Sequence, residues 1–245
     1  MRLAEALADL DTRQPEGSPK PDLDRMRALF DLLDEPQRTY PTIHVTGTNG
    51  KTTTSYLINA IYEAAGIKCG LMGTVSYRIG DREFAATRTT PEAPELQELM
   101  RQMVAGGCGA CVMEVSSHAL AQGRVNGVRY DVAMFTNLSR DHLDYHRSMD
   151  EYLKAKLALF TSPDLQFTVI NLDDPKSSEV LQVLSESVSR WTFSTQGRVL
   201  AGANSLCADN VDYRQDGIAF AVTWNRQTLA AVTPLVGKFN LENVL

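Results

Sequence analysis

The chain has 245 residues, enough for one large domain or for one domain with a small extension. With 43% hydrophobic and 22% charged residues it can fill an ordinary core. Its net charge of −6 argues against nucleic acid as the main partner, and no apolar run reaches membrane length. Met1 to Glu5 lack the apolar segment of a signal peptide, so no membrane partner and a cytoplasmic location are expected. Four cysteines fit a reducing compartment. Cys108 and Cys111 have CxxC spacing, but they enter a strand with no second Cys/His pair nearby. Buried packing is expected of them rather than metal or redox work.

Residues 1–11 read as a short helix, followed by a loop rich in proline and glycine up to Pro21. Met26, Leu29, Phe30 and Leu33 then repeat at i, i+3, i+4 and i+7, an amphipathic helix that Pro36 ends. Residues 1–40 are thus expected to form a helical N-terminal extension, and 41–245 a single domain. From Pro41 strand and helix alternate. Strands are expected near 42–46, 69–75, 110–115, 131–137 and 167–172, with helices at about 52–65, 92–105, 149–161 and 175–187. The strands' apolar runs are nearly continuous, as for parallel strands covered on both faces. The fold class is α/β, a doubly wound and mostly parallel sheet whose ligands lie outside the carboxyl ends of its strands. After Trp191 the pattern changes. Segments 207–213, 218–224 and 228–232 read as a small antiparallel meander joined by Asp216-Gly217 and Asn225-Arg226 turns. Asn240 is expected to cap a helix that stops after little more than one turn, as in a fragment of a longer chain.

The run Gly47-Thr48-Asn49-Gly50-Lys51-Thr52-Thr53 stands between the first strand and the first helix. A glycine-rich turn there leaves backbone N–H groups aimed at one point, and the helix dipole adds positive charge, which together make a phosphate cradle. Lys51 would reach the β- and γ-phosphates and the Thr52 hydroxyl would sit on Mg²⁺. The generic motif needs a glycine where Val45 stands, so the loop is the shorter Gly-x-x-Gly-Lys-Thr. The alternative is an ordinary turn with a solvated lysine.

Further candidates end later strands on the same edge. Glu114 follows an apolar strand, where a carboxylate would meet a phosphate-bound Mg²⁺ or simply face solvent. Asp141, His142, Asp144 and His146 crowd the exit of the fourth strand, a spacing that does not by itself name a metal. On the helix opened by a Ser148/Glu151 capping box, Tyr152, Leu153, Leu157, Leu159 and Phe160 share one apolar arc with Lys156 in its middle. That lysine either snorkels or pairs, or brings its amine to the phosphate site. Thr89 and Thr90 precede Pro91, where Thr90 would cap a helix or help bind an anionic substrate.

Taken together, several long words resemble the Mur ligase family: Thr46 to Thr53, Thr89 to Pro91, Met113 to His118, Gly123 to Val125, Thr136 to His146, Ala155-Lys156 and Gly237 to Asn243. From Thr42 to Asp174 the likeness is strongest to its tripeptide synthetases, which extend the peptidoglycan stem peptide, and the shortened loop is the form this family uses. The resemblance implies that the loop and Lys51 hold ATP, with Asn240, and Asn243 beside it, near the adenine. It implies that Thr52, Glu114 and His142 bind Mg²⁺, with Lys156 carbamylated to hold a second ion. It implies that Lys51, Lys156 and His142 serve catalysis, while Thr89, Thr90, Ser116 and Arg124 bind a nucleotide-sugar peptide or other carboxylate substrate. The implied reaction activates that carboxylate as an acyl phosphate for attack by an amino acid amine. The amino-acid-binding C-terminal domain of the family is not expected within these 245 residues, so full turnover by this chain alone is not expected. Residues 1–40 are similar instead to folylpolyglutamate synthases of the same superfamily. A ligase core of that type and a non-catalytic nucleotide-binding module are the alternatives.

Overall fold

The computed structural model describes residues 39–140 and 145–245. The expected N-terminal helices, and Asp141, His142 and Asp144, lie outside the described residues. Among the described residues eleven strands form one sheet: β1 (Thr42–Thr46), β2 (Cys69–Met72), β3 (Ser76–Ile79), β4 (Arg82–Ala85), β5 (Ala110–Glu114), β6 (Val132–Phe135), β7 (Phe167–Asn171), β8 (Ser189–Ser194), β9 (Asn204–Arg214), β10 (Gly217–Trp224) and β11 (Gln227–Thr233). Their spatial order is β11-β10-β9-β8-β7-β6-β1-β5-β2-β3-β4. Neighbours from β9 through β2 run parallel, and antiparallel hairpins close both edges. The helices are α1 (Lys51–Ala64), α2 (Ala93–Ala105), α3 (Ser117–Ala121), α4 (Met149–Leu157), α5 (Ser177–Val183) and α6 (Lys238–Val244).

Strand alternation sorts the core into two faces. Val45, Leu71 and Val112 turn toward Tyr56, Ile58 and Tyr62 of α1. On the opposite face Met72 and Met113 meet Leu96, Met100 and Met103 of α2, while Phe135 and Ile170 meet Tyr152 and Leu153 of α4. Each such fully buried side chain contributes roughly 1.5–3 kcal/mol. With helices on both faces, β1 between β5 and β6 is where the chain order reverses, and the crevice at its carboxyl end is the natural ligand site.

Several expectations need correction. The expected strand 69–75 ends at Met72, because the Thr74 N–H donates to the Glu114 carboxylate instead of continuing a ladder. The β3–β4 hairpin, α3 and β8 were not foreseen. The expected antiparallel meander is present as β9–β10–β11, and β9 pairs in parallel with β8 to join it to the main sheet. Its Asn225-Arg226 turn takes positive φ at both residues, as a two-residue hairpin turn requires. Asn240 does not cap α6, which begins at Lys238 after Gly237. Thr90 does not cap α2 either. That helix opens at Ala93 behind Glu92, while the Thr90 hydroxyl donates to the Glu114 backbone oxygen at 2.9 Å.

The cysteines behave as packing. Cys69, Cys108 and Cys111 are free and buried, and burial pushes all three thiols up. His44 is fully enclosed and stacks on Tyr130 with ring centroids 4.2 Å apart. Neither ring nitrogen has a hydrogen-bond partner, and burial pushes the imidazole down from 6.5 to about 3. The unfolded chain therefore takes up this proton at a higher pH than the folded one. Stability carried by neutral His44 is complete above about pH 6.5 and is lost as pH falls toward 3, up to roughly 5 kcal/mol across that window. Urea unfolding from pH 7 to pH 4 is expected to lose stability more steeply in the wild type than in His44→Phe. Equal slopes would contradict this assignment.

Candidate functional site

At the carboxyl end of β1 the loop turns into α1, and the first amides of that helix have no intrahelical carbonyl to bond. Thr48, Asn49, Gly50, Lys51, Thr52 and Thr53 line a cavity of about 260 Å³ together with Thr74 and Glu114. Gly50 sits at φ 85°, a left-handed conformation that favours glycine, and a Cβ there would stand 2.2 Å from Asn243 Oδ1. A Cβ on Gly47 would stand 1.9 Å from Thr136 Oγ1. Both glycines are thus set by close approach of other segments to the loop.

Lys51 folds back over the loop, and its Nζ donates to the carbonyl oxygens of Gly47 at 2.8 Å and Thr48 at 3.0 Å. Lys156 reaches the same place from the other face of the sheet. Its side chain is buried, and its Nζ donates to the Gly47 oxygen at 2.9 Å and to Thr46 Oγ1 at 3.4 Å. The ammonium lies 4.7 Å above the Tyr152 ring, whose hydroxyl is 3.1 Å from Thr48 Oγ1. The two lysine amines therefore meet at one carbonyl oxygen.

Glu114 is fully buried, which a carboxylate tolerates only with donors around it. Thr52 Oγ1 donates at 3.0 Å, the Thr74 N–H at 3.0 Å and Thr74 Oγ1 at 3.1 Å. Thr89 Oγ1 lies 3.0 Å from Thr74 Oγ1. Thr90 bridges the exit of β5, accepting from the Ser116 N–H at 3.0 Å. Ser116 caps α3 through the Ala119 N–H. Arg124 donates to the Thr90 oxygen at 3.1 Å and pairs with Glu92 at 3.2 Å. Thr89 and Thr90 thus contact the cavity-lining Thr74 and Glu114, while Ser116 and Arg124 contact Thr90. Asn240 donates to the Val236 oxygen just before α6 and accepts from Asn243 within it, and Asn243 reaches the loop at Gly50. His142 lies outside the described residues. His146 is buried, with its ring 5.2 Å from that of Tyr152.

Among the described residues no three His, Cys, Asp or Glu side chains gather into a metal cluster. The groups on the cavity's Glu114 side are carboxylate and hydroxyl oxygens. That is a hard donor set, which suits Mg²⁺ held by one carboxylate and a hydroxyl together with phosphate oxygens. Sequence reasoning missed Thr74 and the loop contacts of Asn137. Thr74 stands in no marked motif, and Asn137 stands inside the Thr136 to His146 word without a role of its own; the adjacency of strand ends brings both to the loop.

The model of the Mur ligase middle domain matches residues 45–245. The chain belongs to the Mur ligase family. It is 43% identical over 230 residues to the UDP-N-acetylmuramoyl-L-alanyl-D-glutamate--2,6-diaminopimelate ligase of Geobacter sulfurreducens, covering 91% of this chain and 43% of that protein. It is 38% identical to the UDP-N-acetylmuramyl-tripeptide synthetase of Deinococcus radiodurans, covering 99% of this chain and 49% of that one. A solved diaminopimelate ligase superposes with a TM-score of 0.79 at 33% identity, over 90% of this chain and 44% of that chain. The folylpolyglutamate synthetase of Lactobacillus casei shares the fold, with a TM-score of 0.60 at 17% identity, over 99% of this chain and 64% of that one. This Mur ligase chain thus spans about half the length of the curated relatives it matches. Among its described residues no helix is long and apolar enough to cross a membrane.

The Gly47 contact yields a direct test. Gly47→Ala is expected to destabilise the chain by about 1–3 kcal/mol through overpacking against Thr136. Adding Thr136→Ala should restore part of that loss, read by thermal unfolding of both variants. Additive losses would show that this contact does not set the loop.

Proposed function

We propose that residues 41–245 are the ATP-binding unit of an ATP-dependent amide ligase acting on a peptidoglycan precursor. The observation that carries this is a cavity lined by the loop, Lys51 and the buried Glu114 carboxylate, with Lys156 meeting Lys51 at the Gly47 oxygen. In this reading the amides of residues 50–53 cradle the β- and γ-phosphates and Lys51 swings from the Gly47 oxygen onto them. Thr52, Thr74 and Glu114 would hold Mg²⁺, which when bound neutralises charge on the transferring phosphoryl group. Lys156 supports the same centre from below, either as a cation or, carbamylated as the family resemblance implies, as a further carboxylate. His142 is assigned to the metal and to catalysis on that resemblance.

Thr89, Thr90, Ser116 and Arg124 are assigned to the acceptor, a nucleotide-sugar peptide presenting a carboxylate. Phosphoryl transfer to that carboxylate gives an acyl phosphate, and attack by the amine of an amino acid forms the amide and releases phosphate. The names of the Geobacter and Deinococcus relatives support a muramoyl peptide as acceptor and an amino acid such as diaminopimelate as the amine. Asn240 and Asn243 are assigned to the adenine side. Recognition of the amine is assigned to the part of the relatives' length that this chain does not match, and the location of the enzyme to the cytoplasm.

Isothermal titration of this chain with ATP is expected to show Mg²⁺-dependent binding that Lys51→Ala weakens at least 100-fold. Unchanged binding in that variant would overturn the reading. A parallel titration separates the acceptor classes. The UDP-muramoyl dipeptide is expected to bind in the presence of nucleotide and a reduced folate is not, whereas the reverse would make this a folylpolyglutamate-type core.

A further inference from the structure

The phosphate loop lacks the first glycine of the generic motif, and its N-terminal half is hydrogen-bonded by a segment that follows another strand. Just beyond β6, the backbone oxygen of Asn137 accepts the Thr48 N–H at 2.9 Å. The Asn137 carboxamide then bonds both backbone groups of the next residue, Asn49. Its Oδ1 accepts the Asn49 N–H at 2.9 Å and its Nδ2 donates to the Asn49 oxygen at 3.1 Å. Thr136 Oγ1 donates to that same oxygen at 2.6 Å. The Ser139 N–H donates to Thr48 Oγ1 at 2.9 Å, which in turn donates to the Ser139 oxygen at 3.2 Å. The turn making these contacts is itself tied to the segment after β7, where Asp174 accepts the Leu138 N–H at 2.7 Å and the Lys176 N–H at 2.8 Å.

Two consequences follow. The amides of Thr48 and Asn49 are occupied by Asn137, so any anion in the cavity is left to the amides of residues 50–53. The orientation of the Asn49–Gly50 peptide is also set by a carboxamide that mimics a two-bond strand pairing. We infer that Asn137 is a positioning residue for phosphate binding: its side chain replaces the constraint that a full-length loop would supply itself, and pre-organises the remaining amides. It does not touch the nucleotide and acts only through Asn49. The inference rests on the nucleotide-binding reading above and adds a residue to it.

The variants are Asn137→Ala, which removes both side-chain bonds, and Asn137→Asp, which keeps the acceptor but loses the donor. Both are compared with wild type for Mg·ATP affinity, thermal midpoint and amide hydrogen exchange across residues 47–53. Wild type is expected to bind, Asn137→Ala to lose 10- to 100-fold in affinity at temperatures where circular dichroism shows it folded, and the Asn49 amide to exchange faster. Asn137→Asp should protect the Asn49 amide yet still bind more weakly than wild type. If wild type binds and Asn137→Ala binds equally well, the inference fails while the nucleotide site stands. If Asn49 exchange is unchanged in Asn137→Ala, the inference fails whatever the affinity. If wild type itself does not bind, the nucleotide reading and this inference fall together.

Discussion

Lys51 reaches back from the first turn of α1, and Lys156 rises from α4 across the sheet, and both donate to the carbonyl oxygen of Gly47. Desolvating an ammonium is expensive, and placing a second one beside it adds repulsion. An anion in the adjoining cavity would find Lys51 in the lining and Lys156 beside the same carbonyl oxygen. The Gly47 oxygen holds both lysines in place, and the nearby helix terminus and cavity give the anion somewhere to go. Glu114 completes the centre with the opposite sign, its charge satisfied by two threonine hydroxyls and one backbone amide.

The sheet topology makes this meeting possible. Because β1 lies between β5 and β6, the exits of all three strands open onto one crevice, and β2 delivers Thr74 from one place further on. The two lysines come from opposite layers, and neither helix could supply both. Glu114 and the α1 side of the core share a face, whereas Thr46 and α4 share the other. The loop between the layers is where these groups meet. Even the far edge contributes, since α6 packs against β9 and β10 through Leu241 and brings Asn243 to the back of Gly50.

What the sequence made readable was what depends on local order. The strand–loop–helix succession places Lys51 and Thr52, and helical periodicity places Lys156 on a buried arc, where it is found. Glu114 was legible because it ends an apolar strand. Thr74 and Asn137 were not, because their partners are 40 and 88 residues away and only the strand order sets them side by side. The misplaced caps have the same origin. Thr90 resembles a cap in isolation, yet its hydroxyl is drawn to the exit of β5. The β3–β4 hairpin escaped notice because β4 is exposed throughout and carries no alternating apolar pattern.

The most direct test of this account is a crystal structure of the chain with Mg²⁺ and a non-hydrolysable ATP analogue. The account expects the terminal phosphates on the amides of residues 50–53, with Lys51 Nζ moved off the Gly47 oxygen onto them and the cation between the phosphates and Glu114. An analogue seated in any other cavity, with Lys51 still bonded to Gly47 and Thr48, would contradict it.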